Sequence, residues 1–244
     1  MNIMFLMGGY RPDNNREAYP LYLTEVSGKT ILEGQIDFVR EIHPQQLLFC
    51  IKDVDIKQFN TDSVIRQLEP SAKIFNMKMQ TKGAICSALL GVQYIDNDEE
   101  LLLMAIDDFM DDSAVDIISE FRREKADAGV VSFVSVHPRY SFVKIGASGT
   151  PIEFSEKNPI SKNALVSFYY FRQGHDFVEC AKETIRKGNL INGSFYISQT
   201  LNEMILKQKN ICIRKIDSEK FHPLKTEALM AEYVYKHMAG KNGK

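Results

Sequence analysis

Cysteine is scarce in this sequence, and its few copies form no recognisable site. The 244-residue chain has four cysteines, Cys50, Cys86, Cys180 and Cys212. They are scattered and include no CxxC pair, which disfavours a metal site. We expect reduced thiols and a cytoplasmic location.

Long apolar runs and an excess of basic charge are also missing. No run approaches the roughly 18 residues of a membrane span. The net charge of −2 provides no overall basic field to attract nucleic acid. The N-terminal residues MNIMFLMG lack a basic leader and a cleavage site, so they predict a first strand and not a signal peptide. Apolar residues make up 44% and charged residues 25% of the chain, which indicates an ordinary globular protein. Because the chain lacks a basic field and a membrane span, we expect no nucleic-acid and no membrane partner.

Several familiar catalytic motifs do not occur. The five histidines show no HxxxH or HxH spacing, and the chain has neither a GxSxG elbow nor a GxxxxGKS/T loop. Zinc protease, serine hydrolase and P-loop chemistries are therefore disfavoured.

What the sequence does contain is an alternation of short apolar runs with longer amphipathic ones. We predict strands at 2–7, 46–51, 72–75 and 101–106, and helices at 31–42, 82–94 and 113–125. Beyond residue 127 we predict closely spaced strands at 129–136, 140–145, 151–154, 165–171 and 211–216, and helices at 175–187 and 196–207. The pattern predicts an α/β fold of one domain over 1–244, with a mostly parallel sheet covered by helices on both faces.

Residues at the carboxyl ends of the strands are the first functional candidates, because parallel α/β sheets bind ligands there. The first strand runs into Gly8 and Gly9, which are followed by Arg11 and Arg16. Glycines allow a phosphate to approach the backbone, and arginines supply charge-assisted hydrogen bonds to it. A simple tight turn also explains the two glycines.

Two carboxylates, Asp107 and Asp108, follow the most apolar strand. An aspartate in this position can hold Mg²⁺ while nucleotide phosphates complete the octahedral coordination. Helix capping accounts for the nearby Asp111 and Asp112, but it accounts less well for the earlier pair. The earlier pair is therefore a candidate magnesium site.

Two further segments carry polar groups suited to ligand binding. Gln80 has the paired donor and acceptor that can read a nucleobase edge, and Gly83 opens a helix where a base or phosphate can approach the backbone amides. Glu156 and Lys157 close a short strand, where the lysine can meet a substrate phosphate. Each segment taken alone also fits an ordinary helix start or a solvated ion pair.

Taken in order, these segments resemble the sugar nucleotidyltransferase family. The series consists of the glycine turn, YP…EVSGKTILEGQI, TKGA, LLLMAIDDF, HPRYSFVKI, PIEFSEKNPIS, YYF, FYISQTLNEMI and FHPLKTEAL, from about residue 2 to about residue 230. It is most similar to the divergent branch found in bacterial capsule and lipopolysaccharide gene sets.

The resemblance implies a GT-A-like, Rossmann-like mixed sheet, with a nucleotide-binding half at 1–127 and a substrate-binding half at 128–240. It implies Mg²⁺-dependent transfer of a nucleotide from an NTP to a phosphorylated sugar or similar metabolite, with release of pyrophosphate, for surface polysaccharide synthesis. The attacking phosphate is already anionic, so no general base is needed. Catalysis then relies on in-line positioning and charge neutralisation.

On the nucleotide side, the resemblance assigns Gly8 and Gly9 to the nucleotide loop. It assigns Gln80 and Gly83 to the base-reading segment.

On the metal and acceptor side, Asp108 matches the family's metal-binding aspartate, and Asp107 stands beside it. Glu156 and Lys157 match the substrate-binding pair. Lys157 is expected on the sugar phosphate, as a catalytic residue.

The chain departs from the family pattern at two places. The family carries a lysine for the triphosphate after a proline of the loop, and here that position is Leu21. Arg11 or Arg16 is expected to supply the missing charge and to act in catalysis. The family's second metal carboxylate has no clean match, with Asp217 as a candidate.

Two other functions remain open at this stage. A glycosyltransferase of related fold would use Asp107 and Asp108 as its metal-diphosphate site on a nucleotide sugar, and it would release an NDP instead of pyrophosphate. A non-catalytic nucleotide-binding protein, suggested by Leu21, would bind its ligand without turnover.

Overall fold

A computed structural model describes the backbone of residues 1–9 and 19–239 and the side chains of this range as far as Tyr235. The strands are β1 Asn2–Leu6, β2 Glu25–Val26, β3 Lys29–Thr30, β4 Gln46–Lys52, β5 Lys73–Met77, β6 Leu101–Ala105, β7 Asp108–Met110, β8 Ala128–Val134, β9 Ser141–Ile145, β10 Pro151–Glu156, β11 Asn163–Phe171, β12 Ile211–Lys215 and β13 Phe221–Pro223. The α-helices are α1 Ile31–Arg40, α2 Asp53–Phe59, α3 Thr61–Leu68, α4 Ala84–Ala88, α5 Val92–Ile95, α6 Ala114–Arg123, α7 Gly174–Lys187, α8 Ile197–Leu206 and α9 Glu227–Ala239.

Nine of these strands form one mixed sheet. The order along its main path is β10-β9-β11-β6-β1-β4-β5, and β8 pairs with both β11 and β12. Strands β6, β1, β4 and β5 run parallel, whereas β11 is antiparallel to β6, β8 and β9. The predicted α/β fold with a mixed, mostly parallel sheet is confirmed, and β11 carries the sheet from the first half of the chain into the second.

The strands divide their side chains between two apolar cores, because successive residues of a strand point to opposite faces. Ile3 and Phe5 of β1 pack with residues of α1 and α6, whereas Met4 packs on the other face with residues of α4, α7 and α8. Helices therefore cover both faces, as the continuous apolar strands predict. Among the described helices, none has the length and apolar character required to cross a membrane.

The predicted helix at 82–94 is wrong as one continuous element. It is observed as α4 and α5, joined by the 3-10 turn Leu89–Gly91. A Cβ atom placed on Gly91 would lie 2.6 Å from Cε of Met4, so glycine allows this turn to pack directly on β1. The close approach breaks the regular helix that the apolar spacing predicts.

Several elements were not predicted, including the helices α2, α3 and α9 and a two-stranded ribbon of β7 and β13. Isolated helices of seven or eight residues such as α2 and α3 have little stability of their own, so their sequences carry a weak signal. The ribbon matters most for the site. It pairs Pro223 with Asp108, and the Leu224 N–H donates to the backbone oxygen of Asp107 at 2.7 Å.

Candidate active site

The glycine loop lies beside the carboxylate that follows β6. A Cβ atom placed on Gly9 would lie 3.4 Å from Oδ2 of Asp107. Lys52, the last residue of β4, donates from Nζ to the backbone oxygen of Gly9. A Cβ atom on Gly8 would lie 3.3 Å from Cε of Met77, at the end of β5. The carboxyl ends of four parallel strands therefore meet around this loop, where the sequence predicted a ligand site.

Asp107 and Asp108 have different surroundings despite being neighbours in the chain. Asp108 is only 3% exposed, and its Oδ2 accepts the Ser167 N–H of β11 at 3.0 Å. Its Oδ1 lies 2.9 Å from Nζ of Lys225, in the geometry of an ion pair and not of an aligned hydrogen bond. Asp107 is partly exposed. Burial raises the pKa of Asp107, an effect that Lys225 opposes and Asp108 reinforces.

Lys225 lies at the centre of this group of charges. It follows β13 directly, and the pairing of β13 with β7 places its ammonium beside the carboxylate of Asp108. Burial acts to lower the pKa of Lys225, but the charges of Asp108 and Asp107 hold the pKa above its ordinary value. Lys225 also interacts electrostatically with Glu156. The segment FHPLKTEAL contributed to the family resemblance, yet no role for this lysine was predicted, because three-residue strands leave no clear sequence signal.

Glu156 is a buried carboxylate held by two serines. It is 8% exposed, and its Oε2 accepts hydrogen bonds from Oγ of Ser141 and, at 2.8 Å, from Oγ of Ser198. Burial raises the pKa of Glu156, while the two serine hydrogen bonds and Lys157 oppose the rise. Two hydroxyl donors indicate that this carboxylate has a fixed orientation.

Lys157 points toward the start of α8. Its backbone adopts a left-handed conformation with φ of 56°, and its N–H donates to the Tyr140 backbone oxygen at 2.9 Å. Its Nζ donates to the hydroxyl of Tyr196 at 2.7 Å and lies 4.9 Å from the centre of the tyrosine ring. Tyr196 thus binds Lys157, and Ser198, two residues later, binds Glu156. The sequence analysis did not predict that these two residues position the acceptor pair.

The predicted base-reading segment is tied to the same turn. Gly83 has φ of +103°, and a Cβ atom there would lie 2.3 Å from the backbone oxygen of Phe195. The Phe195 N–H donates to the Lys82 oxygen at 2.8 Å. Gly83 therefore has a packing role independent of any ligand, whereas Gln80 is exposed. Oγ1 of Thr81 lies 2.7 Å from Oγ of Ser87, which in turn borders Gly8.

The remaining predicted residues lie elsewhere. Arg11 and Arg16 are outside the described residues. Leu21 is partly buried and lines an apolar groove of about 550 Å³ with Met230 and Val234 of α9. Asp217 is exposed and caps the 3-10 turn Ser218–Lys220 by accepting the Glu219 N–H at 3.1 Å.

The carboxylates do not form a ready-made protein metal cage. Within residues 1–9 and 19–235, no group of three or more histidine, cysteine, aspartate or glutamate side chains could hold a metal ion. One or two carboxylates still suffice for Mg²⁺ when substrate phosphates supply the other oxygens.

Comparison with known proteins identifies solved structures of similar fold, although their sequences are only distantly similar to this one. No protein-family model and no curated protein match the chain. A nucleoside-diphosphate-sugar pyrophosphorylase from Vibrio cholerae RC9 matches with a TM-score of 0.81 and 22% identity, over 96% of this chain and 100% of that one. A UDP-glucose pyrophosphorylase complexed with UDP-glucose matches with a TM-score of 0.77 and 15% identity, over 98% of both chains.

A third solved structure, assigned as a glucose-1-phosphate thymidylyltransferase from Bacillus anthracis in complex with a sucrose, has a TM-score of 0.75 and 12% identity. This match covers 97% of the present chain and 95% of the chain in that structure. All three matches extend over nearly the full length of both proteins. The resemblance read from the sequence is thus confirmed at the level of the fold: the chain has the fold of the sugar nucleotidyltransferases.

Proposed function

We propose that this protein is a nucleotidyltransferase that joins an NTP to a phosphorylated sugar or similar small metabolite and releases pyrophosphate. One observation carries the proposal. The glycine loop lies against Asp107 at the carboxyl ends of the parallel strands, and the turn that binds Glu156 and Lys157 through Ser198 and Tyr196 packs on Gly83. This arrangement, in a chain with the fold of sugar pyrophosphorylases, supports a role for the loop in phosphate binding, for the two carboxylates in metal binding and for Lys157 in acceptor binding.

The reaction needs positioned charges and no general base. An oxygen of the acceptor phosphate attacks the α-phosphorus of the NTP, a new P–O bond forms, and the bond to the β-phosphate breaks. The bonding electron pair leaves with pyrophosphate. Cations near the leaving group stabilise the charge that it gains. A site built from carboxylates, lysines and glycines suits this chemistry.

Asp107 and Asp108 are the residues that would hold Mg²⁺. The fit rests on their chemistry, because both are carboxylates at one strand end and Asp107 is partly exposed beside the glycine loop. The ion would neutralise phosphate charge and orient the triphosphate.

The other residues take roles that follow from their positions. Gly8 and Gly9 would bind the nucleotide phosphates, and Gln80 with the Gly83 segment would contact the base. Lys157 would bind the acceptor phosphate, with its ammonium oriented by Tyr196.

We assign Arg11 and Arg16, which lie outside the described residues, to the triphosphate. We place the reaction in the cytoplasm and in the supply of activated precursors for surface polysaccharides.

A pyrophosphate-release screen tests the proposal. The full chain is incubated with Mg²⁺ and each of the four NTPs against a panel of phosphorylated sugars and phosphorylated amino alcohols. We expect one NTP and one acceptor to release pyrophosphate and to form the matching nucleotide conjugate. Release of an NDP from a nucleotide sugar would instead indicate a glycosyltransferase. Ligand binding without turnover across the panel would indicate a non-catalytic binding protein.

A further inference from the structure

Lys52 is a cation beside the glycine loop that the proposed function leaves without a role. It is the last residue of β4, it is partly exposed, and its Nζ donates to the backbone oxygen of Gly9. The neighbouring carboxylate of Asp53 turns to a different lysine, with its Oδ2 2.6 Å from Nζ of Lys57. An ammonium carries three N–H donors, so the bond to Gly9 is compatible with a second bond to a ligand on the loop.

The register of the sheet places Lys52 and a carboxylate on opposite sides of the glycine loop. Strand β1 lies between β4 and β6, and its Leu6 pairs with Cys50 on one side and with Ala105 on the other. Two residues later the three chains reach the glycine loop, Lys52 and Asp107. A phosphate held by the loop would therefore have an ammonium on its β4 side and a carboxylate on its β6 side.

The in-line geometry of nucleotidyl transfer determines which phosphates would meet this ammonium. In the proposed function the acceptor phosphate binds at Lys157, which follows β10, and the attacking and leaving oxygens lie on opposite sides of the α-phosphorus. In the strand order, β10, β9 and β11 lie on the side of β6 away from β1, whereas β4 lies beyond β1. The leaving pyrophosphate therefore points from β6 toward β4 and toward Lys52.

We propose that Lys52 binds the β- and γ-phosphates of the NTP and stabilises the pyrophosphate as it leaves. The inference rests on the proposed function and deepens it by naming a described residue for the leaving group. When the bond between the α- and β-phosphates breaks, its electron pair stays on pyrophosphate, and the ammonium offsets that charge without giving up a proton. The chain has Leu21 where a lysine for the triphosphate was expected, and Lys52 supplies a lysine from β4 instead.

Equilibrium binding of nucleotides to the full chain tests this contact without turnover. Isothermal titration calorimetry is carried out at a fixed Mg²⁺ concentration and without an acceptor, first with the four NTPs and then with the tightest NTP and its NMP. Lys52→Met is expected to weaken NTP binding at least about tenfold, or roughly 1.4 kcal/mol, because a hydrogen bond between charged groups is lost. NMP binding is expected to change by less than about threefold, because an NMP lacks the β- and γ-phosphates.

Two further variants separate a direct contact from a disturbance of the loop. Lys52→Arg keeps a cation that binds phosphate, and it is expected to keep the NTP affinity within about fivefold of the wild type. Lys73→Met is the matched control, because it removes the same charge from an exposed lysine at the start of β5, at the opposite end of the parallel strands. It is expected to leave both affinities unchanged. Thermal unfolding checks that each variant is folded.

Three results would overturn the inference. They are an unchanged NTP affinity in Lys52→Met, equal losses for NTP and NMP, and a Lys52→Arg variant that binds NTP as weakly as Lys52→Met. Equal losses would place the lysine at the nucleoside or the α-phosphate.

The outcome is separable from that of the pyrophosphate screen. Turnover in the screen together with unchanged NTP binding by Lys52→Met would contradict this inference alone. A selective loss of NTP binding in Lys52→Met, without pyrophosphate release by the wild type, would contradict the proposed function and leave the phosphate contact intact. A folded wild type that binds none of the four NTPs would contradict both.

Discussion

At the scale of single residues, Lys225 and Lys157 differ in how far the sequence could predict them. Lys225 pairs with Asp108 at the end of β6, and Lys157 donates to the hydroxyl of Tyr196 at the start of α8. The sequence predicted Lys157 because it closes a strand beside a glutamate. It could not predict Lys225, because the contact with Asp108 spans more than a hundred residues and depends on a ribbon only three residues wide.

Replacement of Lys157 tests the acceptor side. Lys157→Ala is expected to weaken acceptor binding more than NTP binding, by about 10- to 150-fold, since a hydrogen bond to a charged group contributes roughly 1.5–3 kcal/mol. Separate KM values for the two substrates measure the split. Lys162→Ala, which removes an exposed lysine a few residues later, is the control and is expected to leave both values unchanged. Equal losses for both substrates in Lys157→Ala would place this lysine elsewhere in the reaction.

At the scale of elements, the turn that leads into α8 connects the predicted base-reading segment to the acceptor pair. Phe195 packs on Gly83, Tyr196 binds Lys157, and Ser198 binds Glu156. In the sequence, TKGA and FYIS are two separate segments, and nothing in either segment indicates that they are in contact. Such contacts arise from the crossing of chain segments, which periodicity along one segment does not encode.

The tyrosine hydroxyl offers a precise test of this connection. Tyr196→Phe removes the hydrogen bond to Lys157 and keeps the ring beneath its ammonium. We expect the KM for the acceptor to rise about 2- to 12-fold with little change for the NTP, because a typical hydrogen bond contributes about 0.5–1.5 kcal/mol. An unchanged acceptor KM would show that the orientation of Lys157 does not depend on Tyr196.

Gly83 provides a stability test at the same scale. Gly83→Ala places a Cβ atom 2.3 Å from the Phe195 oxygen in a backbone conformation with φ of +103°. Gly149 also has a positive φ, of +82°, but no atom lies within 4 Å of its Cβ position, so Gly149→Ala measures the backbone strain alone. We expect Gly149→Ala to cost about 1 kcal/mol of the free energy of unfolding and Gly83→Ala to cost at least about 2 kcal/mol more. Urea denaturation checks the difference, and equal costs would contradict the close packing.

At the scale of the whole molecule, the apolar pattern of the strands predicted the fold, but it carried little information about the arrangement of the site. Continuous runs such as LLLMAI require burial on both faces, and this requirement alone leads to a sheet covered by helices. The sequence order of the polar segments led to the sugar nucleotidyltransferase resemblance. It did not show how β11 joins the two halves or how β13 returns to Asp108, because both depend on long-range pairing.

The environment of Leu21 can also be explained only from the whole folded chain. The residue follows the glycine loop in sequence, where a lysine was expected, but it packs with Met230 and Val234 of α9. An apolar side chain therefore suits its neighbours at this point, and the cations of the described site come from the ends of β4, β10 and β13.

The central claim is that the strand-end site performs nucleotidyl transfer with Asp107 and Asp108 as the residues proposed to hold its metal ion. Pyrophosphate release by the wild type and by Asp107→Asn, with the best substrate pair from the screen, tests it most directly. The account predicts one pyrophosphate for each nucleotide conjugate formed, and a loss of rate of about 10²–10³ in the variant, as for removal of one charge-stabilising group from an active site. Equal rates in the two proteins, or no pyrophosphate from the folded wild type with any pair, would contradict it.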